Sequence, residues 1–473
     1  MASLVDAHLN SLYTLAVLRT RSHGMGRTPT LACLLAAMSA PCAMAFDGEV
    51  DPGFGGVGQV AIIRPSAQSG TGSRPTGDLA MLADGRFLWA APLDDGSVWV
   101  GRMQANGTPD SFGGSPDGRI TLPTCGVPRN VMLLADGDAG AIVWASNCLV
   151  RVRGDGSVDA TFGTGAMPPE GFSAAGLARD ALGRFVLAGK EGQQLAIYRF
   201  SAEGLPDASF GIAGRVEVVV PTTNGTADLN ALALRPDRRI LVGGSRGNTF
   251  GPNLIVAQYT EAGVPDSSWS GDGIVDIPPP DDFDSLYATA MALDADGSLV
   301  VSGLGSTGIT TCCRMLMRLD SGGQVDPDFG LRLFTLGGVS SIFPFFEQRD
   351  ALVLLPNRRI LVGASSFPNA APFTNRTRFT LIRTFADGSL DMGFGHDGWN
   401  SFTIADPENA GQSGDYDQMH GMAYTGTGIV MLGRTFFEDN STGNDYVTMV
   451  RARFDLIFDD AFEDWRIAAQ RTR

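Results

Sequence analysis

A short phrase built around an aspartate recurs seven times along the chain, and it constrains the fold more than any other feature. It is "GLPDASFGIAGRV" at 204–216 and "GSLDMGFGHDGW" at 388–399. Recurrence at a period of about 55 residues indicates a repeat architecture, in which each copy is one supersecondary unit. The aspartates of the seven copies are Asp51, Asp110, Asp159, Asp207, Asp266, Asp326 and Asp391.

Two further phrases recur in phase with the first. One is "LADGRFLWA" from 82 and "DALGRFVLAG" from 180, and the other is "IYRFSAEG" from 197 and "LIRTFADG" from 381. Each copy then holds four short β-rich runs, such as "RVEVVV", "LNALAL", "RRILVGG" and "LIVAQY", separated by turn-forming residues. We interpret each copy as one four-stranded antiparallel meander. Seven such sheets bury their faces by stacking around an axis, so the prediction is an all-β, seven-bladed β-propeller of four-stranded antiparallel blades.

The repeated aspartate is expected to serve the fold. Its carboxylate can accept backbone N–H bonds of its own turn, the glycines can take positive φ, and the aromatic residue can wedge between neighbouring sheets. An acid that every copy carries serves something every copy needs. The alternative is one calcium ion per turn, but a single carboxylate supplies too few oxygen ligands. No metal site and no cofactor are predicted.

The three phrases, D-x-x-F-G-x-x-G, D-G-R-x-L-V-x-G and R-x-x-x-x-G-x-x-D, resemble the delta-60 repeat family of bacterial exported proteins, from residue 47 to about 455. The resemblance implies a propeller-like fold and carries no established activity or catalytic residues. Three copies depart from the pattern. The second copy is one residue short, Trp269 replaces the phenylalanine of the fifth, and Leu331 and Arg332 stand where the sixth would have glycines.

The two ends of the chain lie outside the repeats. Residues 1–45 combine Arg19, Arg21 and Arg27 with the apolar run "LACLLAAMSAPCAMA", which ends in a small-x-small pattern. We expect a signal peptide cleaved near Ala45, export to the periplasm, the cell surface or the medium, and no membrane span; Met1 and Met25 are both possible starts. The predicted propeller occupies 46–455. The tail, 456–473, resembles the "I-F-x-D-G-F-E" endings of some proteobacterial exported proteins.

Charge excludes one class of partner. The formal net charge is −16, and Lys190 is the only lysine. A nucleic-acid backbone is neutralised by clustered Lys and Arg, so neither nucleic acid nor an anionic membrane is an expected partner. The expected partner is a glycan, peptide or protein, bound by a monomer.

The cysteines suggest one disulfide. Removal of the leader would leave Cys125, Cys148 and the adjacent Cys312 and Cys313 in a compartment that permits disulfides. Cys125 and Cys148 are the candidate bridge, and we assign them to one blade. Cys312 and Cys313 form either two buried or free thiols or a vicinal disulfide.

Binding is expected on the face that carries the long connections, because long loops on a rigid scaffold are where binding residues concentrate. These connections are rich in acids and aromatics, which suit sugars, peptides or cationic groups. The competing interpretation is that acids keep the loops soluble and aromatics pin them to the blades. The candidate ligand-binding residues are Asp282, Phe283, Asp284, Phe345, Asp415, Tyr416, Asp417, His420 and Phe436.

Two functions follow from this inventory. The first is a non-enzymatic binding or interaction scaffold, because no catalytic motif is present and no catalytic residue is assigned. The alternative is a propeller hydrolase or lyase that acts on glycans or peptides through acids of the long loops. His420, near Asp415 and Asp417, is the candidate general base in that case.

Overall fold

The structure of the protein is a computed structural model. It describes residues 48–64, 76–123, 130–145, 147–163, 168–220, 226–247, 251–307, 310–334, 351–366, 377–405, 416–437 and 444–454. All of these residues belong to one compact unit.

The chain forms 27 β-strands and one 3-10 turn in its described part. Strand β1 (Gln59–Ile63) comes first and belongs to the last blade. The first four blades are β2–β5, β6–β8, β9–β12 and β13–β16. Their bounds are β2 Asp78–Met81, β3 Phe87–Pro92, β4 Val98–Met103, β5 Arg119–Leu122; β6 Val131–Asp136, the 3-10 turn Gly137–Ala139, β7 Gly140–Ala145, β8 Cys148–Val152; β9 Ser173–Arg179, β10 Phe185–Glu191, β11 Gln194–Phe200, β12 Arg215–Val218; β13 Thr226–Leu234, β14 Ile240–Gly247, β15 Asn253–Tyr259, β16 Ile274–Ile277.

The last three blades follow the same plan. Blade 5 is β17–β20, blade 6 is β21–β24, and blade 7 is β25–β27 completed by β1. Their bounds are β17 Ser285–Leu293, β18 Leu299–Thr307, β19 Thr310–Leu319, β20 Leu331–Phe334; β21 Ala351–Leu354, β22 Ile360–Ser366, β23 Arg378–Thr384, β24 Trp399–Phe402; β25 Tyr416–Tyr424, β26 Gly428–Phe437, β27 Asn444–Arg453.

These sheets form a closed ring. The innermost strands, β2, β6, β9, β13, β17, β21 and β25, each contact the next, and β25 contacts β2. Every strand pair is antiparallel within its blade, and six sheets have four strands. The second blade has three strands among the described residues, and residues 164–167 lie outside them. The predicted seven-bladed all-β propeller is confirmed.

One detail of the prediction is wrong: a sequence copy is not a blade. "RVEVVV" contains β12, which pairs with β11 of the preceding blade, whereas the next three runs of the same copy form β13, β14 and β15 of blade 4. Each copy therefore supplies the outermost strand of one blade and the three inner strands of the next. The period cannot show this stagger because a repeated pattern has the same period wherever the unit is taken to begin.

The stagger places the repeated phrase at the seam between two blades. Phe210 is fully buried, and a Cβ on Gly263 of the next blade would lie 2.8 Å from its ring. Gly263 has φ +84°, so both its conformation and the close approach of the ring require glycine. The hydrophobic cluster around Phe210 accordingly joins residues of blades 3 and 4.

Candidate functional site

The propeller has two faces with different contents. Because the strands alternate in direction, the connections between the first and second and between the third and fourth strands of a blade lie on one face, here called the turn face. The three repeated phrases lie there. The remaining connections, including those from one blade to the next, lie on the opposite face, here called the loop face, where the sequence predicts binding.

Blade 3 shows what the repeated aspartate does on the turn face. One carboxylate oxygen of Asp207 accepts the Ser209 backbone N–H at 3.0 Å. The other accepts Nε of Arg199 at 2.8 Å and lies 3.9 Å from Arg184. Arg199 comes from the third phrase and Arg184 from the second, so all three phrases meet at one cluster. Because residues of the three phrases contact one another, the spacing between the phrases has to be kept in every copy, and the phrases recur in phase.

The other blades repeat this arrangement with variations. Each repeated aspartate accepts a backbone N–H one or two residues ahead. For six of the seven, an arginine within the described ranges also lies within ion-pair distance. The additional pairs are Arg451 and Arg453 with Asp51, Arg86 and Arg102 with Asp110, Arg153 with Asp159, Arg239 with Asp266, and Arg359 and Arg383 with Asp391.

The arginines also fasten one blade to the next. The guanidinium of Arg199 lies over the Phe210 ring, 4.5 Å from its centroid, and donates to the Glu261 backbone carbonyl of blade 4. In the same way Arg102 donates to the Gly154 carbonyl at 2.7 Å. Guanidinium groups lie 4.4 to 4.8 Å from ring centroids in five seams: Arg102 on Phe112, Arg151 on Phe162, Arg199 on Phe210, Arg318 on Phe329 and Arg383 on Phe394.

These arginines are the residues that sequence reasoning missed. They occupy the first position of the pattern R-x-x-x-x-G-x-x-D, but recurrence alone does not show which contact a repeated position makes. The electrostatics follow from the contacts: burial alone would raise the pKa of Asp207, but hydrogen bonds from Ser209 and the Arg199 charge lower it overall. Within the described ranges, no group of three or more His, Cys, Asp or Glu side chains could hold a metal.

The described part of the loop face is best seen at the connection 278–284, between blades 4 and 5. Asp281, Asp282 and Asp284 are exposed, and Phe283 is half-buried. The Phe283 backbone N–H donates to the Pro280 carbonyl at 2.8 Å, and a Cβ on Gly305 would lie 3.1 Å from its ring. Phe283 thus anchors the connection to blade 5 and presents the three acids to solvent.

Other acids on this face form ion pairs with basic side chains. Asp228 lies 2.5 Å from the Lys190 ammonium. Asp276 is paired with Arg246 and accepts the Asn253 amide at 2.8 Å. By contrast, neither Asp281 nor Asp282 lies in an ion pair with any described residue.

Blade 7 differs from the prediction. Asp417, His420 and Phe436 lie in strands β25 and β26, not in loops, and Tyr416 begins β25. The assignment of these residues to connections is wrong because the strands of this blade extend further than the apolar pattern indicated.

Two of these strand residues are buried, and the third contacts the neighbouring blade. Asp417 is fully buried and lies 3.4 Å from Arg378 of blade 6, and Phe436 is 6% exposed. His420 sits at a β-bulge, where Nδ1 accepts the Gly77 backbone N–H of blade 1 at 3.0 Å. Asp417, His420 and Phe436 therefore belong to the strands of blade 7, whereas 281–284 connects blades 4 and 5. Phe345 and Asp415 lie outside the described residues.

The cysteine predictions fall partly on described residues. Cys148 begins β8 and is disulfide-bonded. Cys125 lies outside the described residues, so the Cys125–Cys148 pairing stays a prediction. Cys313 is buried in β19, and the Cys312 side chain is not described.

Residues 1–47 and 455–473 also lie outside the described part, and the leader, the Ala45 cleavage site and the tail with them. None of the helical structure in the described ranges is long and apolar enough to cross a membrane.

Comparison with known proteins finds similarity of architecture alone. No family model and no curated protein matches the chain. Among solved structures, it is similar to Chaetomium thermophilum Sqt1 bound to the N-terminus of a ribosomal protein, with a TM-score of 0.42, 12% identity and coverage of 81% of this chain and 98% of that one. It is also similar to the Nup133 β-propeller domain of Vanderwaltozyma polyspora (0.39, 9%, 79% and 93%) and to an Aleuria aurantia lectin in complex with a fucosylated sugar (0.34, 10%, 79% and 95%).

Proposed function

We propose that this protein is an exported β-propeller that acts as a binding scaffold, with a glycan, peptide or protein as the ligand of its loop face. The observation that carries the proposal is the difference between the two faces. On the turn face, the repeated acids are engaged by backbone N–H groups and arginines that join the blades. On the loop face, Asp281 and Asp282 are exposed beside an anchored aromatic ring.

This arrangement favours a ligand with donor groups. Exposed carboxylates accept hydrogen bonds from sugar hydroxyls and pair with cationic side chains, and a half-buried phenylalanine offers an apolar or cation-binding surface beside them. Anchoring of Phe283 against Gly305 holds the acids on a rigid blade, which reduces the entropy lost on binding.

Binding to glycan and peptide arrays tests the proposal. We expect the double variant Asp281→Asn with Asp282→Asn to weaken binding to any array hit about tenfold or more. Asp237→Asn is the matched control, because this acid is also exposed but lies on the turn face. Equal loss in the two variants, or no loss in the first, would remove the loop face from the proposal.

The same variants test the enzymatic alternative. Three exposed acids in one connection are the observation that favours it. A hydrolase panel on the wild-type protein, followed by the single variants Asp281→Asn, Asp282→Asn and Asp284→Asn, would reveal turnover that one substitution abolishes. Such a result would replace the scaffold with a hydrolase or lyase.

Export and membership of the delta-60 repeat family are part of the proposal. The sequence of residues 1–45 supports export, and the three in-phase phrases support the family. N-terminal sequencing of the protein recovered from the periplasm or the medium tests export, and we expect it to begin at Phe46. An intact leader on protein found only in the cytoplasm would contradict it.

A further inference from the structure

Blade 7 combines strands from both parts of the chain. Strand β1, from near the start of the chain, pairs with β27, from near its end, so hydrogen bonds and not a chain connection close the ring at this point. The register runs from Gln59 opposite Val450 to Ile63 opposite Tyr446. All other neighbouring strands within a blade follow each other in the sequence. Separation of β1 from β27 is therefore the one unpairing of neighbouring strands that leaves every meander intact, and it leaves blade 7 held to blade 1 only by contacts between the two blades.

A buried charge network crosses this joint at its loop-face end. Arg64, directly after β1, is 8% exposed and donates to Asp445 of β27 at 2.8 Å. Asp445 is 1% exposed, and its other oxygen accepts Nε of Arg434 from β26 at 2.7 Å. One buried carboxylate thus holds the arginines of two strands, and loss of Arg64 would leave it with one of its two partners.

The same guanidinium reaches the first blade. Its second terminal nitrogen donates to the carbonyl of Pro92, at the end of β3, and lies 3.7 Å from Asp94. Arg64 consequently joins β1 to blade 7 and to blade 1 through a single side chain.

The turn-face end of the joint is held differently. Arg453 pairs with Asp51, whose side chain is only 8% exposed, but the arginine side chain is 48% exposed, and Asp51 also lies 3.6 Å from Arg451. Water weakens an ion pair in which one partner is half-exposed, whereas removal of one partner of a pair that is buried on both sides is strongly destabilising because it leaves a charge uncompensated. The two ends of one joint therefore provide an internal comparison.

We propose that the propeller opens locally between β1 and β27, and that the Arg64–Asp445–Arg434 network is the latch that keeps this joint closed. Strand β1 is a five-residue strand at the outer edge of its sheet, and such peripheral segments are expected to open locally with a free energy below that of global unfolding. The latch concerns the closure of the ring and does not depend on which ligand the loop face binds.

Hydrogen–deuterium exchange followed by mass spectrometry tests the latch. In Arg64→Met, we expect exchange of peptides that cover β1 and β27 to rise about tenfold or more, with β10 and β14 unchanged. Arg453→Met, at the other end of the joint, is the matched control and should change exchange of β1 less than about threefold. Unchanged exchange of β1 in Arg64→Met, or an equal rise in the control, would overturn the proposal.

A measurement on the wild-type protein covers the case in which Arg64→Met does not fold. Exchange across a series of low urea concentrations should show β1 and β27 opening together, at a lower free energy than β10 and β14. If all four strands exchange only by one global event, the ring has no latch at this joint.

Discussion

The seam between blades 3 and 4 and the seam between blades 4 and 5 perform the same task with different residues. In the first, Arg199 contacts Asp207 and stacks on Phe210. In the second, Gln258 stands where Arg199 would be and Trp269 where Phe210 would be. Arg235 supplies the guanidinium from another strand end: it donates to Gln258 at 2.5 Å and to the Gly297 carbonyl of blade 5 at 2.7 Å.

Comparison of these two seams shows which chemical groups a seam requires. Both arginines are buried, and burial lowers the pKa of each, yet each reaches a backbone carbonyl of the next blade. A guanidinium, an aromatic ring and a turn-capping acid are present in both seams. The guanidinium comes from a different position of the repeat in each seam. A seam therefore requires an arginine side chain at this place in space, but not at one fixed position of the sequence.

The aromatic residue should have the largest effect. We expect Phe210→Ala to lower the free energy of unfolding by about 3 to 5 kcal/mol, because it empties a fully buried site between two sheets. Trp269→Ala should cost a similar amount at the other seam, and denaturant melts of both variants provide the measurement. A loss below about 1 kcal/mol at either seam would show that its ring is not part of the core.

Substitution of the arginines should have the second largest effect on the free energy of unfolding. We expect Arg199→Ala and Arg235→Ala each to cost about 2 to 3 kcal/mol, since each removes charged hydrogen bonds to buried acceptors. The double variant Gln258→Arg with Arg235→Ala tests whether an arginine at 258, the position that corresponds to Arg199, can replace the arginine at 235. Its melt should recover most of the Arg235→Ala loss, and no recovery would mean that the second seam needs its arginine at 235.

The repeated acid should have a smaller effect. Asp207→Ala should lower stability by about 1 to 2 kcal/mol through unsatisfied backbone and arginine donors. Asp266→Ala should fall in the same range, because Arg239 and the Gln258 amide contact Asp266 where Arg199 contacts Asp207. Melts with and without calcium measure both. Calcium-dependent stabilisation of the wild type that both variants weaken would turn these turns into metal sites.

The smallest effect concerns pH. Hydrogen bonds from Arg238 and then Arg184 lower the pKa of Glu261 from 4.5 to about 2, and seam 4/5 has the neutral Ser321 at this place. A lowered pKa in the folded state means stability that is present above pH 4.5 and is lost as pH falls towards 2. Glu261→Gln should therefore flatten the acid side of the stability curve, by less than about 1 kcal/mol because the carboxylate is partly exposed. An unchanged acid limb in melts from pH 6 to 2.5 would contradict this.

The sequence predicted the blade number and the turn face far better than the loop face. Periodicity identifies what every blade shares, so Asp207 and Phe210 could be singled out with their contacts. Periodicity could not show that each sequence copy contributes strands to two blades. It also could not locate Arg235, which departs from the repeat. The connections of the loop face do not repeat, so nothing in the pattern distinguished exposed Asp282 from buried Asp417.

The pairing of β1 with β27 has a consequence for synthesis. Strand β1, the first strand of the described part, must wait until Asn444–Arg453 is made before its partner exists, and closing so long a loop is entropically costly and slow. Until then β1 offers an unpaired edge, which is the kind of surface through which nascent chains aggregate or exchange strands. We expect the ring to close as the last step of folding, so a chain that stops before Asn444 would lack both the strand and the acid that complete it.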